Sequence, residues 1–243
     1  MRNSIFLGML VALTLLLTAA LAYAIIDKDS GISGTTYDNS LVNTYNPGAE
    51  LEIMTTGNLK MITNDKGSHA RMDVAIYRPA VVDEGWYLIG DLAVPSYGTP
   101  TQQAMLVRAI NKDGTNESDA LAPPVDWVRM WAGHGYGGRP NMAFWMPVPP
   151  EGYVALGCVG AQGYSMPEIP EFRCVRADLC TEGKEKSIIW NDYGSGESDD
   201  VTLWSVTPDD ARGVDALTFW AHKDYRAHPA QRVYCLNLTY VTA

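Results

Sequence analysis

The chain has 243 residues, 47% hydrophobic and 19% charged, with 22 Gly and 14 Pro, a balance that excludes disordered, collagen-like and coiled-coil chains. Its 18 Lys and Arg against 28 Asp and Glu give a formal charge of −10. That sign excludes a protein that tracks nucleic-acid phosphates, and it predicts no charge-driven binding to membrane surfaces.

At the start, Arg2 precedes an uncharged apolar run from Ile5 to Leu21, and Ala22-Tyr23-Ala24 has the small-x-small form of a signal-peptidase site. Residues 1–24 are therefore predicted to be a signal peptide and the protein to be secreted; the alternative is an uncleaved anchor in a membrane, since no charge falls between Ile5 and Ile26. Residues 25–50 read as a polar N-terminal arm.

From residue 51 onward the chain repeats itself. Ala75-Ile76-Tyr77-Arg78-Pro79, Gly85-Trp86-Tyr87-Leu88-Ile89-Gly90 and Leu106-Val107-Arg108-Ala109 have counterparts in Ala143-Phe144-Trp145-Met146-Pro147, Gly152-Tyr153-Val154-Ala155-Leu156-Gly157 and Cys174-Val175-Arg176-Ala177. A third, more worn copy aligns Trp131 with Trp190 and Trp145 with Trp204. The units run over about 51–115, 123–183 and 184–243, and a period of this size marks a repeat architecture.

Within each unit the signal is β. Met72–Tyr77, Tyr153–Val159 and Val233–Tyr240 are short, rich in β-branched and aromatic residues, and bounded by Gly and Pro. No helical-length window keeps a 3.6-residue apolar stripe free of breakers. One small sheet cannot bury its apolar face alone, so the expected fold is all-β and β-prism-like, a single domain over 51–243 with three pseudo-symmetric antiparallel sheets. Trp131, Trp145, Trp190 and Trp204 are then core or corner residues.

Export would oxidise Cys158, Cys174, Cys180 and Cys235 into two disulfides, with three connectivities open. Asn116 and Asn237 stand in glycosylation sequons. The histidines His69, His134, His222 and His228 lack metal-ligand spacing, and Glu197, Asp199 and Asp200 lack the order of a calcium loop. No nucleophile elbow or phosphate loop is present, so no cofactor, metal or catalytic residue is assigned. The one Gly-rich feature is Gly133-His134-Gly135-Tyr136-Gly137-Gly138, echoed by Asp192-Tyr193-Gly194-Ser195-Gly196-Glu197 and, more loosely, by Asp65-Lys66-Gly67-Ser68-His69. These read either as turns needing positive φ or as a ligand-binding rim at one end of the prism. In the second case His134, Gly135, Tyr136, Gly137, Asp192, Tyr193, Gly194 and Gly196 are the contact residues.

The stretches Pro123–Trp131, Phe144–Gly157 and Arg173–Leu179 closely resemble the vacuolar protein sorting-associated family sixty-two, which includes plant and fungal proteins. Ile76-Tyr77-Arg78-Pro79 with Gly85–Asp91 is also similar to a repeat of the adaptor-binding domain of the large vacuolar protein sorting lipid-transfer proteins. Those modules recognise short proline-containing peptides, so the resemblance implies recognition rather than chemistry. The function expected is a secreted, non-enzymatic binding protein whose ligand, a protein, peptide or glycan, meets the apical loops or a sheet edge. A lectin-like prism and a secreted toxin or effector docking on membranes are the alternatives.

Overall fold

Gly and Pro punctuate the sequence too often for helices, and the segments between them extend. The first third supplies β1 (Leu51–Thr56), β2 (Leu59–Asn64), β3 (Ala75–Pro79), β4 (Tyr87–Leu88), β5 (Leu92–Val94) and β6 (Ala104–Ala109). The middle supplies β7 (Leu121–Ala122), β8 (Asp126–Gly133), β9 (Met142–Val148), β10 (Tyr153–Val154), β11 (Val159–Gln162) and β12 (Cys174–Arg176). The last third supplies β13 (Cys180–Asn191), β14 (Thr202–Pro208), β15 (Gly213–Val214), β16 (Phe219–His222), β17 (Val233–Asn237) and β18 (Val241–Thr242). This is a computed structural model that describes residues 46–80, 82–110, 119–133, 141–227 and 231–243. The predicted signal peptide, Asn116, the turn residues His134 to Gly137, and His228 lie outside the described residues.

The chain is all-β, with no α-helix among the described residues. Three sheets, one for each unit, were expected; the described residues form five, ordered β2-β3-β5, β8-β9-β11, β10-β12-β7, β18-β1-β6-β4 and β15-β17-β13-β14-β16. Breakers explain the difference. Gly57-Asn58 separates β1 from β2 and Pro123-Pro124-Val125 separates β7 from β8, because proline cannot donate within a ladder. No such break occurs in the last third. There β13 runs on for 12 residues, pairing with β17 over Cys180–Gly183 and with β14 over Gly183–Asn191, with two bulges inside the β14 ladder. One pairing also departs from the antiparallel expectation: β18 lies parallel to β1, with Leu51 opposite Val241.

Chain segments from all three thirds meet where the backbone must approach most closely. The Asp91 N–H donates to the Cys158 carbonyl at 3.0 Å, and the Cys158 N–H to that of Phe219 at 2.8 Å. Thr218 Oγ1 donates to the Leu156 carbonyl at 2.5 Å. Only glycine fits at 157, since a Cβ there would lie 2.4 Å from Thr218 Cβ. Arg78 and Asp91 clamp the same region: the guanidinium donates at 2.7 and 2.8 Å, and the Gly160 N–H donates to Asp91 at 2.9 Å. Burial works against the Arg78 charge, but the attraction and hydrogen bonds of Asp91 outweigh it and hold the guanidinium pKa above its ordinary value.

The main apolar cluster gathers Ile76, Phe144, Trp131, Trp190, Leu203 and Phe219. Phe144 sits at its centre, with ring centroids of Trp131, Trp190 and Phe219 at 5.6, 5.9 and 5.8 Å, the mixed stacked and edge contacts that aromatic quadrupoles favour. The cysteines correct the sequence reading. All four are free thiols. Cys158 and Cys235 belong to the main cluster and Cys174 to a different one. Cys180 pairs with Leu236 while its neighbour Thr181 pairs with Cys235, so strand alternation puts Cys180 and Cys235 on opposite faces of the sheet.

Candidate functional site

Two of the three turns singled out in the sequence are built alike. In the first, the N–H of Val74 donates to Asp65 Oδ1 at 2.8 Å and Ser68 Oγ to Oδ2 at 3.1 Å. In the other, the N–H of Val201 donates to Asp192 Oδ1 at 2.9 Å and Ser195 Oγ to Oδ2 at 3.2 Å. Each serine then accepts from the backbone two residues on, Ala70 or Glu197, at 3.1 Å. Gly67 and Gly194 have φ of 91° and 97°, the left-handed region that an L side chain resists. A tyrosine closes each turn: Tyr97 donates to Asp65 at 2.9 Å, and Tyr225 bonds Asp192 and Asp200. Burial first, then these carboxylates, raise both phenol pKa values above the ordinary 10.0.

Asp192, expected at the rim, is only 2% exposed, and its oxygens are occupied inside the turn. Burial raises its carboxyl pKa against the pull of Val201, Tyr225 and Ser195. Tyr193 instead faces solvent, 48% exposed. Gly194 and Gly196 are exposed turn positions. His134, Gly135, Tyr136 and Gly137 lie outside the described residues.

The two turns touch. The N–H of Arg71 donates to the Tyr193 carbonyl at 3.0 Å, and a Cβ at Gly194 would lie 3.1 Å from the His69 carbonyl. The Arg71 guanidinium lies 4.5 Å from the Tyr193 ring centroid, within cation–π range. Tyr225 meets the same ring edge-on at 5.8 Å and 80°. Beneath the junction, Trp190 Nε1 crosses from β13 to donate to Asp65 at 2.9 Å and to the Met72 carbonyl at 3.0 Å. Trp131 makes a comparable step from β8, donating to the Asp199 carbonyl at 2.7 Å. Sequence reasoning treated the Asp65 turn as the loosest echo and missed Arg71, Tyr97 and Tyr225. The signal was there in Tyr97-x-x-Pro100 and Tyr164-x-x-Pro167, repeated phenols just beyond the strands.

Of the other predicted residues, Trp131, Trp145, Trp190 and Trp204 are all buried. Asn237 caps a short 3₁₀ turn, its Oδ1 accepting from Thr239 N–H at 3.0 Å. His222 is buried against Glu185. Arg176 joins Glu50 at 2.6 Å, Asp178 at 2.7 Å and Asp119, and its hydrogen bond lowers the Asp178 pKa. An open hollow of about 310 Å³ lies between β2 and β11, bordered by Lys60, Met61, Arg78, Gln162 and Glu168.

The family model of vacuolar protein sorting-associated protein 62 matches residues 32–242. The chain belongs to that family. Among solved structures, it is similar to the crystal structure of GNIP1Aa from Chromobacterium piscinae, with a TM-score of 0.69 at 24% identity over 81% of this chain. That likeness concerns the fold alone, and the family member spans 39% of the GNIP1Aa chain. A search of curated proteins gives no match.

Proposed function

We propose that this member of the family is a secreted, non-enzymatic recognition protein that holds its ligand, a protein, peptide or glycan, at the joined turns 65–72 and 192–200. One observation carries the reading: two internally satisfied turns meet edge to edge and display Tyr193 and Arg71 outward. Turns braced by buried carboxylates keep exposed groups in place before a partner arrives, which lowers the entropic cost of binding. The frame we propose is a β-prism of three units over residues 51–243. It is supported by the central strands β3, β9 and β14, each flanked on both sides within its sheet, and by the meeting of Gly90, Gly157 and Thr218.

Glycan and peptide arrays probed with the mature chain test the site. Tyr193→Ala is expected to abolish the signals while leaving the melting temperature unchanged. Array binding that survives this substitution would move the site elsewhere. Recovery from culture medium of a chain beginning at Ile25 tests export.

A further inference from the structure

Resting on that reading, the geometry points to an acidic saccharide as the ligand class of the joined turns. Its carboxylate or sulfate would be taken by Arg71 and its sugar ring held in the corner between Tyr193 and Tyr225.

The first argument is charge. In a chain of net charge −10, four arginines are held by carboxylates: Arg78 by Asp91, Arg108 by Glu52, Arg176 by three carboxylates, Arg212 by Asp210. Among the described residues the Arg71 guanidinium has no hydrogen bond and no ion pair, only the Tyr193 ring beneath it. Stacking fixes the plane of the fork while leaving its N–H edge for an oxyanion, the geometry in which arginine binds acidic groups bidentately. Four nearby carboxylates are engaged elsewhere: Asp65 and Asp192 inside their turns, and Asp73 and Asp200 by the phenols of Tyr97 and Tyr225.

The second argument is backbone strain beside that arginine. His69 has φ of 65°, whereas Gly196, at the same place in the sister turn, has 81°. Glycine meets that requirement without steric cost in one turn, and the other keeps an exposed imidazole there. His69 thus stands two residues from Arg71 on the same outward loop.

The third argument is shape. Tyr193 and Tyr225 stand at 80° to each other, a platform and a wall. That corner matches a compact, rigid ring; an extended peptide needs a strand edge or a long groove.

The test uses the full mature chain, titrated with a glucuronic-acid disaccharide and with its glucose counterpart, alongside an array of sialylated, sulfated and neutral glycans. Wild type is expected to prefer the acidic member by at least tenfold. Arg71→Ala should lose that preference, and Arg71→Lys should recover only part of it. A thermal melt checks that each variant is folded. Binding to neutral glycans with equal strength in wild type and Arg71→Ala would overturn the acidic-saccharide inference and leave the recognition reading standing. Arg71-dependent binding of phosphopeptides or of phosphatidylserine vesicles, with the saccharides silent, would overturn it too. Failure of every probe to bind at any surface would remove both.

Discussion

Asp65 is the place where one substitution measures how firmly the candidate site is held. Its carboxylate is 4% exposed and accepts from Val74 N–H at 2.8 Å, Tyr97 at 2.9 Å, Trp190 Nε1 at 2.9 Å and Ser68 at 3.1 Å. Asp65→Ala removes all four acceptances. Val74 is fully buried, so its N–H finds no water and is orphaned at about 1–3 kcal/mol. Trp190 retains the Met72 carbonyl and Tyr97 retains Asp73, which limits the remaining loss of charge-assisted bonds. The expected net cost is about 3–5 kcal/mol. Asp65→Asn keeps one acceptor oxygen for Val74 and Tyr97 and should cost about 1–2 kcal/mol. The same change at Asp192, which has no tryptophan donor, should cost about 1 kcal/mol less than at Asp65. Urea unfolding by linear extrapolation reads these differences as midpoint shifts at constant slope. An Asp65→Ala protein within about 1 kcal/mol of wild type would refute the claim that this carboxylate organises the turn.

Alkaline pH should weaken the protein through its thiols. Burial pushes Cys158, Cys174 and Cys180 up to about 12 from 9.0, so between those values the unfolded chain sheds protons that the folded chain keeps. Stability then falls as pH rises, by about 1.4 kcal/mol per pH unit for each thiol. Unfolding curves taken at intervals above pH 9 should steepen this loss for wild type and show less of it in Cys158→Ala; a flat profile contradicts the burial argument. Gly157→Ala should destabilise by about 1–3 kcal/mol through overlap with Thr218, whereas Gly57→Ala, with nothing within 4 Å, should be near neutral, and equal melting temperatures would count against the close crossing. Asp91→Ala strands the mostly buried Arg78 and should cost about 3–5 kcal/mol. The double change Arg78→Met with Asp91→Leu should recover much of it, and purely additive losses would show that the two groups do not act as a pair.

The β character of the chain was legible in its sequence alone. Gly and Pro at short intervals leave no room for helices, and the short apolar runs within Ala75–Pro79, Met142–Val148 and Thr202–Pro208 make strands, each buried on both faces along part of its length. Proline at 123 and 124 already announced a break. What the chain text did not reveal is that the corresponding strand in the last third runs unbroken, joining two sheets into one, because bulges are settled by cross-strand partners rather than by local propensity.

The site divides in the same way. The turn residues were legible as a pattern, and the flanking Asp and Ser gave the local caps. Whether a carboxylate faces the ligand or its own turn depends on donors far along the chain, and Trp190 lies 125 residues from Asp65. The same distance effect decided the cysteines: an expected leader led to an expectation of oxidation, but all four are free thiols, with Cys180 and Cys235 on opposite faces of their sheet and Cys174 in a different cluster from Cys158 and Cys235. Local chemistry fixes what each segment becomes. Which segments meet, and so which groups remain exposed for a partner, follows only from the packing of distant strands around Phe144.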